Sequence, residues 1–135
     1  MNTGKKHDEG KENTKKYWRK KKKKEIHRVL VTVEGPDRGR EFVILPCRMQ
    51  IGRRTDNYIR LSDPNVSRKH AALEFNPEKE QYVLTDLHST NGTYLNEEKI
   101  DGSKVLTPGD RIRVGSSVLE VVDSRKGPAL GRLGG

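Results

Sequence analysis

Between residues 29 and 122 the sequence consists of short runs in which apolar residues recur at about every second position. Successive side chains of a β-strand point to opposite faces, so this period predicts half-buried strands. No segment keeps the 3.6-residue period of an amphipathic helix over about ten residues. Glycine, proline, asparagine and aspartate separate the runs, as they do in turns. The pattern predicts an all-β chain, folded as an antiparallel β-sandwich of about ten or eleven short strands.

The predicted strands are the runs that are rich in aliphatic and β-branched residues. In chain order they cover residues 29–33, 41–45, 49–52, 58–61, 70–75, 81–86, 93–95, 99–100, 111–114 and 117–122. The last two are expected to form a hairpin around Gly115-Ser116. The single cysteine, Cys47, follows an apolar run, so we expect a buried or half-buried thiol and no intramolecular disulfide.

Charge separates the start of the chain from the rest. Residues 1–28 contain twelve Lys and Arg against four Asp and Glu, whereas residues 29–135 contain sixteen against fifteen. A polar, charged segment cannot bury enough apolar surface to offset the entropy lost on ordering. We therefore predict a disordered basic tail over residues 1–25, a folded domain over 26–123 and a flexible end over 124–135.

The basic run at residues 15–24 includes Tyr17 and Trp18. A charged run of this kind is typically a solvated segment. The alternative is that the run binds nucleic acid or an anionic membrane surface, with the sandwich serving as a scaffold. The chain has no apolar stretch of about 20 residues and no apolar leader at its start, so we expect a cytoplasmic protein, or a nuclear one if its source is eukaryotic.

Three clusters of polar side chains lie in predicted loops or at strand ends. They are Gly52-Arg53, Ser67-Arg68-Lys69-His70 and the stretch from Ser89 to Asn96. A guanidinium group offers a planar fork of donors that fits phosphate oxygens, and a serine adds a short O–H donor. Loops from one end of a rigid sandwich can hold such groups around one point. This inventory favours binding of a dianionic group on an extended peptide, such as a phosphorylated residue.

The order and spacing of these motifs resemble those of forkhead-associated (FHA) domains. The residues that carry the resemblance are Gly52-Arg53, then Ser67-Arg68-Lys69-His70, then Asn91-Gly92-Thr93-Tyr94-Leu95-Asn96. The match extends from about residue 28 to residue 123. The resemblance implies an FHA/SMAD-type β-sandwich that binds phosphothreonine in a partner protein, in signalling by Ser/Thr kinases. The three clusters contain no metal-ligand spacing, and we expect a monomer that needs no cofactor or metal.

The resemblance also assigns the phosphopeptide-binding residues. Arg53 would contact the phosphate, Ser67 would donate its hydroxyl to it, and Arg68 would provide a second contact. Thr90 and Asn91 would bind near the phosphate and to the peptide backbone. Thr90 would equally suit a turn cap.

Four further residues have supporting or specificity roles in the resemblance. Asn65 would read the third residue after the phosphothreonine, and His70 would hold its own loop in place. Gly92 would permit a tight turn, which Asn96 would support.

A hydrolase is the competing interpretation of Ser67 and His70, with Asp63 or Asp86 as a third member. The sequence lacks the Gly-x-Ser-x-Gly pattern of a nucleophile elbow. A histidine with a structural role is also a commoner outcome than a catalytic one. We therefore expect a binding module and not an enzyme.

Overall fold

The chain forms eleven β-strands between residues 28 and 124, which are the residues that the computed structural model describes. The strands are β1 (Arg28–Glu34), β2 (Glu41–Ile44), β3 (Met49–Gly52), β4 (Ile59–Arg60), β5 (Ala71–Asn76), β6 (Gln81–Asp86), β7 (Thr93–Leu95), β8 (Glu98–Lys99), β9 (Ser103–Leu106), β10 (Arg111–Val114) and β11 (Ser117–Asp123). Within this part of the chain no helix is long and apolar enough to cross a membrane. The predicted tails, 1–25 and 124–135, lie outside the described residues except for Ser124.

Two sheets make up the sandwich, which confirms the predicted fold class. The six-stranded sheet has the order β2-β1-β11-β10-β7-β8, and the five-stranded sheet has the order β4-β3-β5-β6-β9. One pair departs from the antiparallel prediction: β4 runs parallel to β3, with Gly52 opposite Arg60. Residues 53–58 loop back along β3 before β4 starts, so β4 points in the same direction. Alternation in the sequence is the same for both directions and cannot reveal this.

The core lies between the two sheets and is built by the alternation seen in the sequence. In β1 Leu30 and Thr32 face inward, and in β10 Ile112 and Val114 do so. The two long strands β1 and β11 pair along almost their whole length, with a register shift between Thr32 and Glu34. This pairing is the longest in the six-stranded sheet and forms its centre.

Two further details of the sequence-based prediction are wrong. Strand β9 was not predicted, because three of its four residues are exposed and show no alternation. It forms the edge of its sheet, paired with β6. Cys47 is exposed, since it lies in the turn after β2 and not in the strand.

The topology brings several connections to one end of the sandwich. Strands β3, β6 and β10 end there, and β5, β7 and β11 begin there. The connections that meet are residues 35–40, 53–58, 61–70, 87–92 and 115–116. We call this set of connections the loop end. It contains all of the predicted phosphopeptide-binding residues.

Replacing Leu119 by alanine tests the core between the sheets. Leu119 is fully buried and lies opposite Thr32 and Ile112 in the neighbouring strands. The cavity and the lost apolar contacts should lower the free energy of unfolding by about 2–5 kcal/mol in urea titrations. Val105→Ala is the control, because Val105 is 43% exposed and its truncation should cost about 0.5 kcal/mol or less. Equal losses in the two variants would contradict the assignment of the core.

Candidate functional site

His70 is a fully buried imidazole that joins two connections of the loop end. Its Nδ1 accepts a hydrogen bond of 3.0 Å from the Ser67 amide. Its Nε2 lies 2.8 Å from the carbonyl oxygen of Gly92. Because Nδ1 accepts an N–H, the proton of the neutral ring resides on Nε2, which donates to the Gly92 carbonyl. The backbone amide of His70 also donates to the Ile51 carbonyl at 2.8 Å, which ties the ring to β3.

Burial lowers the pKa of His70 below its ordinary value, although the Gly92 carbonyl and the charges of Asp86 and Asp63 act in the opposite direction. Protonation of Nδ1 would turn the acceptor for the Ser67 amide into a second donor facing it. The neutral ring is therefore the form that holds the two connections together.

Arg53 directly follows β3 and is fixed by two hydrogen bonds to the connection that precedes β5. Its amide donates to the Ser67 carbonyl at 3.0 Å, and its Nε donates to the Val66 carbonyl at 3.0 Å. Within residues 28–124 the two terminal Nη groups form no hydrogen bond or ion pair. Arg53 is exposed, so a positioned fork of donors faces solvent beside Ser67.

The hydroxyl of Ser67 links the second and third predicted clusters. Its Oγ accepts a hydrogen bond of 3.0 Å from the amide of Thr90. This bond uses a lone pair and leaves the hydroxyl proton available as a donor. The side chain of Asn91 reaches across the same gap, donating from Nδ2 to the Asn65 carbonyl at 3.1 Å. Hydrogen bonds thus bring together four predicted binding or specificity residues, which are Asn65, Ser67, Thr90 and Asn91.

Asp63 fixes the position of Asn65 and ties it to the β10–β11 turn. Its Oδ1 accepts from the amide of Asn65 at 2.8 Å, as in an Asx-turn. Its Oδ2 accepts from the amide of Ser116 and from the hydroxyl of Ser117, both at 2.8 Å. The Asn65 side chain itself donates to Ser116 Oγ at 2.8 Å. Asp63 is 1% exposed, so these bonds compensate for a buried charge.

Asp86 holds the connection between β6 and β7 in the same way. Its Oδ1 accepts from the hydroxyls of Ser89, at 2.5 Å, and Thr93, at 2.7 Å. The Gly92 amide donates in turn to Ser89 Oγ at 2.9 Å. Partial burial raises the pKa of Asp86, but the hydrogen bonds from Ser89 and Thr93 outweigh it, so the pKa lies below its ordinary value. The carboxylate stays ionised and keeps its donors.

Gly52 allows the backbones beside Arg53 and Arg68 to approach closely. A Cβ at Gly52 would overlap the Arg68 carbonyl oxygen and would lie 2.6 Å from Asn57 Nδ2. That amide donates to the Arg68 carbonyl at 2.8 Å. The Arg68 side chain is exposed and lies next to Ser67 in the chain. The glycine of the first motif is therefore required by packing, and not by an unusual φ angle.

Asn96 has a different role from the one predicted. It lies in the β7–β8 turn, where its amide donates to the Arg111 carbonyl at 2.8 Å. Its side chain donates to Asp110 and accepts from the Arg111 amide. These bonds join the β7–β8 turn to the start of β10. The Gly92 turn is supported by Ser89 instead.

The contacts do not favour the hydrolase interpretation. Both nitrogens of His70 are engaged with backbone groups, so the ring is not placed to take the proton of Ser67 Oγ. Among residues 28–124 no group of three His, Cys, Asp or Glu side chains could hold a metal ion. A guanidinium fork, an adjacent hydroxyl donor and nearby amides form an arrangement suited to binding an anion.

Sequence reasoning considered Asp63 and Asp86 only as catalytic candidates and missed their role as anchors. Both are followed by partners at short, recognisable spacings: Asn65 two residues after Asp63, and Ser89 three residues after Asp86. Such spacings are typical of Asx-turns and related side-chain-to-backbone bonds. Ser116 gave no signal, because its partners lie more than fifty residues away in the chain.

Comparison with known proteins points to one family. The family model for the FHA domain matches residues 49–115. The glycogen accumulation regulator GarA of Mycobacterium tuberculosis is 36% identical over 108 residues, which are 79% of this chain and 65% of GarA. The oxoglutarate dehydrogenase inhibitor of Corynebacterium jeikeium is 39% identical over 98 residues, which are 73% of this chain and 66% of the inhibitor. The chain thus spans about two thirds or slightly less of the length of these relatives.

Solved structures give the same result for the fold. A chain from a structural and functional analysis of phosphothreonine-dependent FHA domain interactions superimposes with a TM-score of 0.64. It is 32% identical, and the match covers 71% of this chain and 95% of that one. The FHA domain of an Arabidopsis thaliana protein gives a TM-score of 0.67 at 32% identity, covering 73% of this chain and 86% of that domain.

The neutral state of His70 predicts how stability depends on pH. Because the pKa of His70 is lower in the folded than in the unfolded chain, the unfolded chain binds more protons as the pH falls below about 6.5. The free energy of unfolding should therefore decrease from pH 7.5 to pH 5, by at most about 1.4 kcal/mol per pH unit from this residue. Asp86 does not contribute in this window, since its ordinary pKa is 3.8. Urea titrations across the window measure the decrease.

Two variants isolate the contribution of His70. His70→Asn should be less stable at every pH but should lose most of this pH dependence. His88→Asn is the control, because His88 is exposed and has a φ of 56° that asparagine tolerates. A pH dependence that persists unchanged in His70→Asn would show that another group causes it.

Proposed function

The chain belongs to the FHA domain family, and we propose that its loop end binds phosphothreonine presented on an extended segment of a partner protein. The partner would be marked by a Ser/Thr kinase, and binding would recruit or regulate it. Preference for threonine over serine is a property implied by the family. The activity of the whole protein and the identity of its partners are part of the same proposal.

The observation that carries the proposal is the placement of Arg53 beside Ser67. The Arg53 guanidinium is held through Nε by the Val66 carbonyl, so its Nη groups can approach an anion with little loss of conformational entropy. Ser67 Oγ is already oriented by the Thr90 amide and retains its proton. A phosphate brings about 1.5 to 2 negative charges and three acceptor oxygens, which match this set of donors.

The remaining predicted residues complete the proposed site. Arg68 provides a second charged contact from the exposed position next to Ser67. Thr90 and Asn91, which are bonded to Ser67 and Asn65, are proposed to bind near the phosphate and to the peptide backbone. Asn65 is proposed to contact the third residue after the phosphothreonine; its side chain is bonded to Ser116 and its carbonyl to Asn91, so it is held at the exposed junction of three connections.

We propose a binding role without catalysis. The relatives are named as a regulator and an inhibitor, and these names support such a role. The occupied nitrogens of His70 support it as well, since the serine of the site has no base at hand.

Substitution of Arg53 tests the site directly. We expect the wild-type chain to bind a phosphothreonine peptide, to bind the phosphoserine version more weakly and not to bind the unphosphorylated one. Arg53→Ala should weaken phosphothreonine binding by about 2 kcal/mol or more, because charge-assisted hydrogen bonds are lost. A phosphothreonine-oriented peptide library is screened first to find a sequence that binds, and calorimetric titration of single peptides then gives these affinities.

Two controls accompany this titration. Arg48→Ala removes one positive charge at the opposite end of β3, where Arg48 pairs with Glu74, and should leave the affinity within about twofold. Deleting residues 1–25 should also leave phosphopeptide binding intact. If the deletion abolished the cellular function of the protein while phosphopeptide binding persisted, the alternative would be favoured. In that alternative residues 15–24, which lie outside the described residues, bind nucleic acid or a membrane surface. Unchanged affinity in Arg53→Ala would show that the site is wrongly assigned.

A further inference from the structure

The arginines of the described residues fall into two groups by position. Residues 28–124 contain fourteen Lys and Arg against fifteen Asp and Glu, so this part of the chain is close to neutral. All four arginines that lie away from the loop end form an ion pair with a carboxylate; they are Arg28, Arg48, Arg111 and Arg113. Of the four arginines for which no such pair exists within residues 28–124, Arg38, Arg53 and Arg68 lie at the loop end, and Arg60 ends the strand β4 directly before it. Arginine side chains without an ion pair are therefore concentrated at one end of the sandwich.

Arg60 is held next to Arg53 by the parallel pairing of β3 and β4. Gly52 lies opposite Arg60 in the register, and Arg60 Nε donates to the Arg53 carbonyl at 3.1 Å. Arg53 Nε donates in turn to the Val66 carbonyl. Each guanidinium is thus held by a hydrogen bond to a backbone carbonyl: that of Arg60 by Arg53, and that of Arg53 by Val66. A carbonyl has no net charge, so both guanidinium groups keep their positive charge. Both retain their terminal Nη groups for a ligand.

The number of charges exceeds what one phosphate needs. A phosphorylated residue carries about 1.5 to 2 negative charges, and Arg53 and Arg68 already balance them. Arg60 adds a further fixed positive charge close to Arg53. Like charges held together disfavour each other, and an anionic ligand relieves this cost. The nearby carboxylates do not neutralise Arg60, since Asp56 pairs with Arg54 and Asp37 pairs with Arg40.

We propose that Arg60 forms a second anion subsite beside the phosphothreonine position. The ligand is then a phosphothreonine peptide with a second anionic side chain, which is a phosphorylated residue or an Asp or Glu. This inference rests on the proposed function of the loop end. It adds that affinity depends on the charge of one flanking position and that Arg60 reads this charge.

Peptides that differ at single positions test the subsite. A phosphothreonine peptide with neutral flanks serves as the reference, and glutamate or phosphoserine is placed in turn at each of the flanking positions. For the wild-type chain we expect one position at which glutamate or phosphoserine raises the affinity by about tenfold, the factor that corresponds to about 1.4 kcal/mol. Comparison of the two substitutions tells whether a carboxylate or a phosphate is preferred.

The variant Arg60→Gln should abolish this gain while changing the affinity for the reference peptide by about threefold or less. Arg60→Lys should keep part of the gain, because it keeps the charge but loses the fork. Arg48→Gln removes the same charge elsewhere and should retain the full gain. Unfolding titrations of each variant identify any loss of binding that is due to loss of folding.

Two results would overturn the subsite. One is a wild-type affinity that changes by less than twofold for every anionic substitution, and the other is a gain that persists in Arg60→Gln. Either result leaves the proposed function intact if Arg53→Ala still weakens binding of the reference peptide as predicted above. A wild-type chain that binds none of the phosphothreonine peptides would overturn both proposals.

Discussion

The site depends on one buried imidazole. His70 lies before β5 in the five-stranded sheet, and its Nε2 donates to the carbonyl that precedes β7 in the six-stranded sheet. Its other nitrogen fixes the amide of Ser67, whose carbonyl in turn fixes the amide of Arg53. A ring shielded from water makes stronger hydrogen bonds than an exposed one and tolerates no unpaired partner. The positions of the guanidinium and of the hydroxyl therefore follow from a residue that is fully buried.

The negative charges at the loop end are used internally, and this leaves the positive ones for a ligand. Asp63 and Asp86 accept hydrogen bonds from serine, threonine and backbone donors of the loops. Asp37 does the same for Ser62, whose amide and hydroxyl both donate to it at 2.7 Å. A carboxylate whose lone pairs are engaged in this way is held at a fixed position and depth. The exposed rim is then dominated by arginine side chains, and a rim of that composition attracts anionic ligands over several ångströms.

The sequence was sufficient to predict a strand where one face of that strand is buried. Strands β6 and β10 follow from alternation, and the three motifs locate the loops that meet. The sequence was insufficient to predict the position of a strand or side chain that is set by another segment of the chain. The parallel direction of β4 is set by the six-residue loop before it, and the place of Arg60 beside Arg53 follows from that pairing and from no motif. Asn96 belongs to the third motif by spacing, yet its partners are decided by the start of β10.

The anchors of the loop end share one geometric property, which links the site to the core. Each of the three carboxylates joins the two sheets: Asp37 follows β1 and holds Ser62 after β4, Asp63 holds Ser117 of β11, and Asp86 of β6 holds Thr93 of β7. His70 and Gly92 form a fourth such link. The spacing between the sheets, which the buried side chains set, therefore also sets the spacing between Arg53, Ser67 and Asn91. A close-packed core resists small changes of that spacing, so the rigidity of the binding loops derives from the interior of the sandwich and not from the loops themselves.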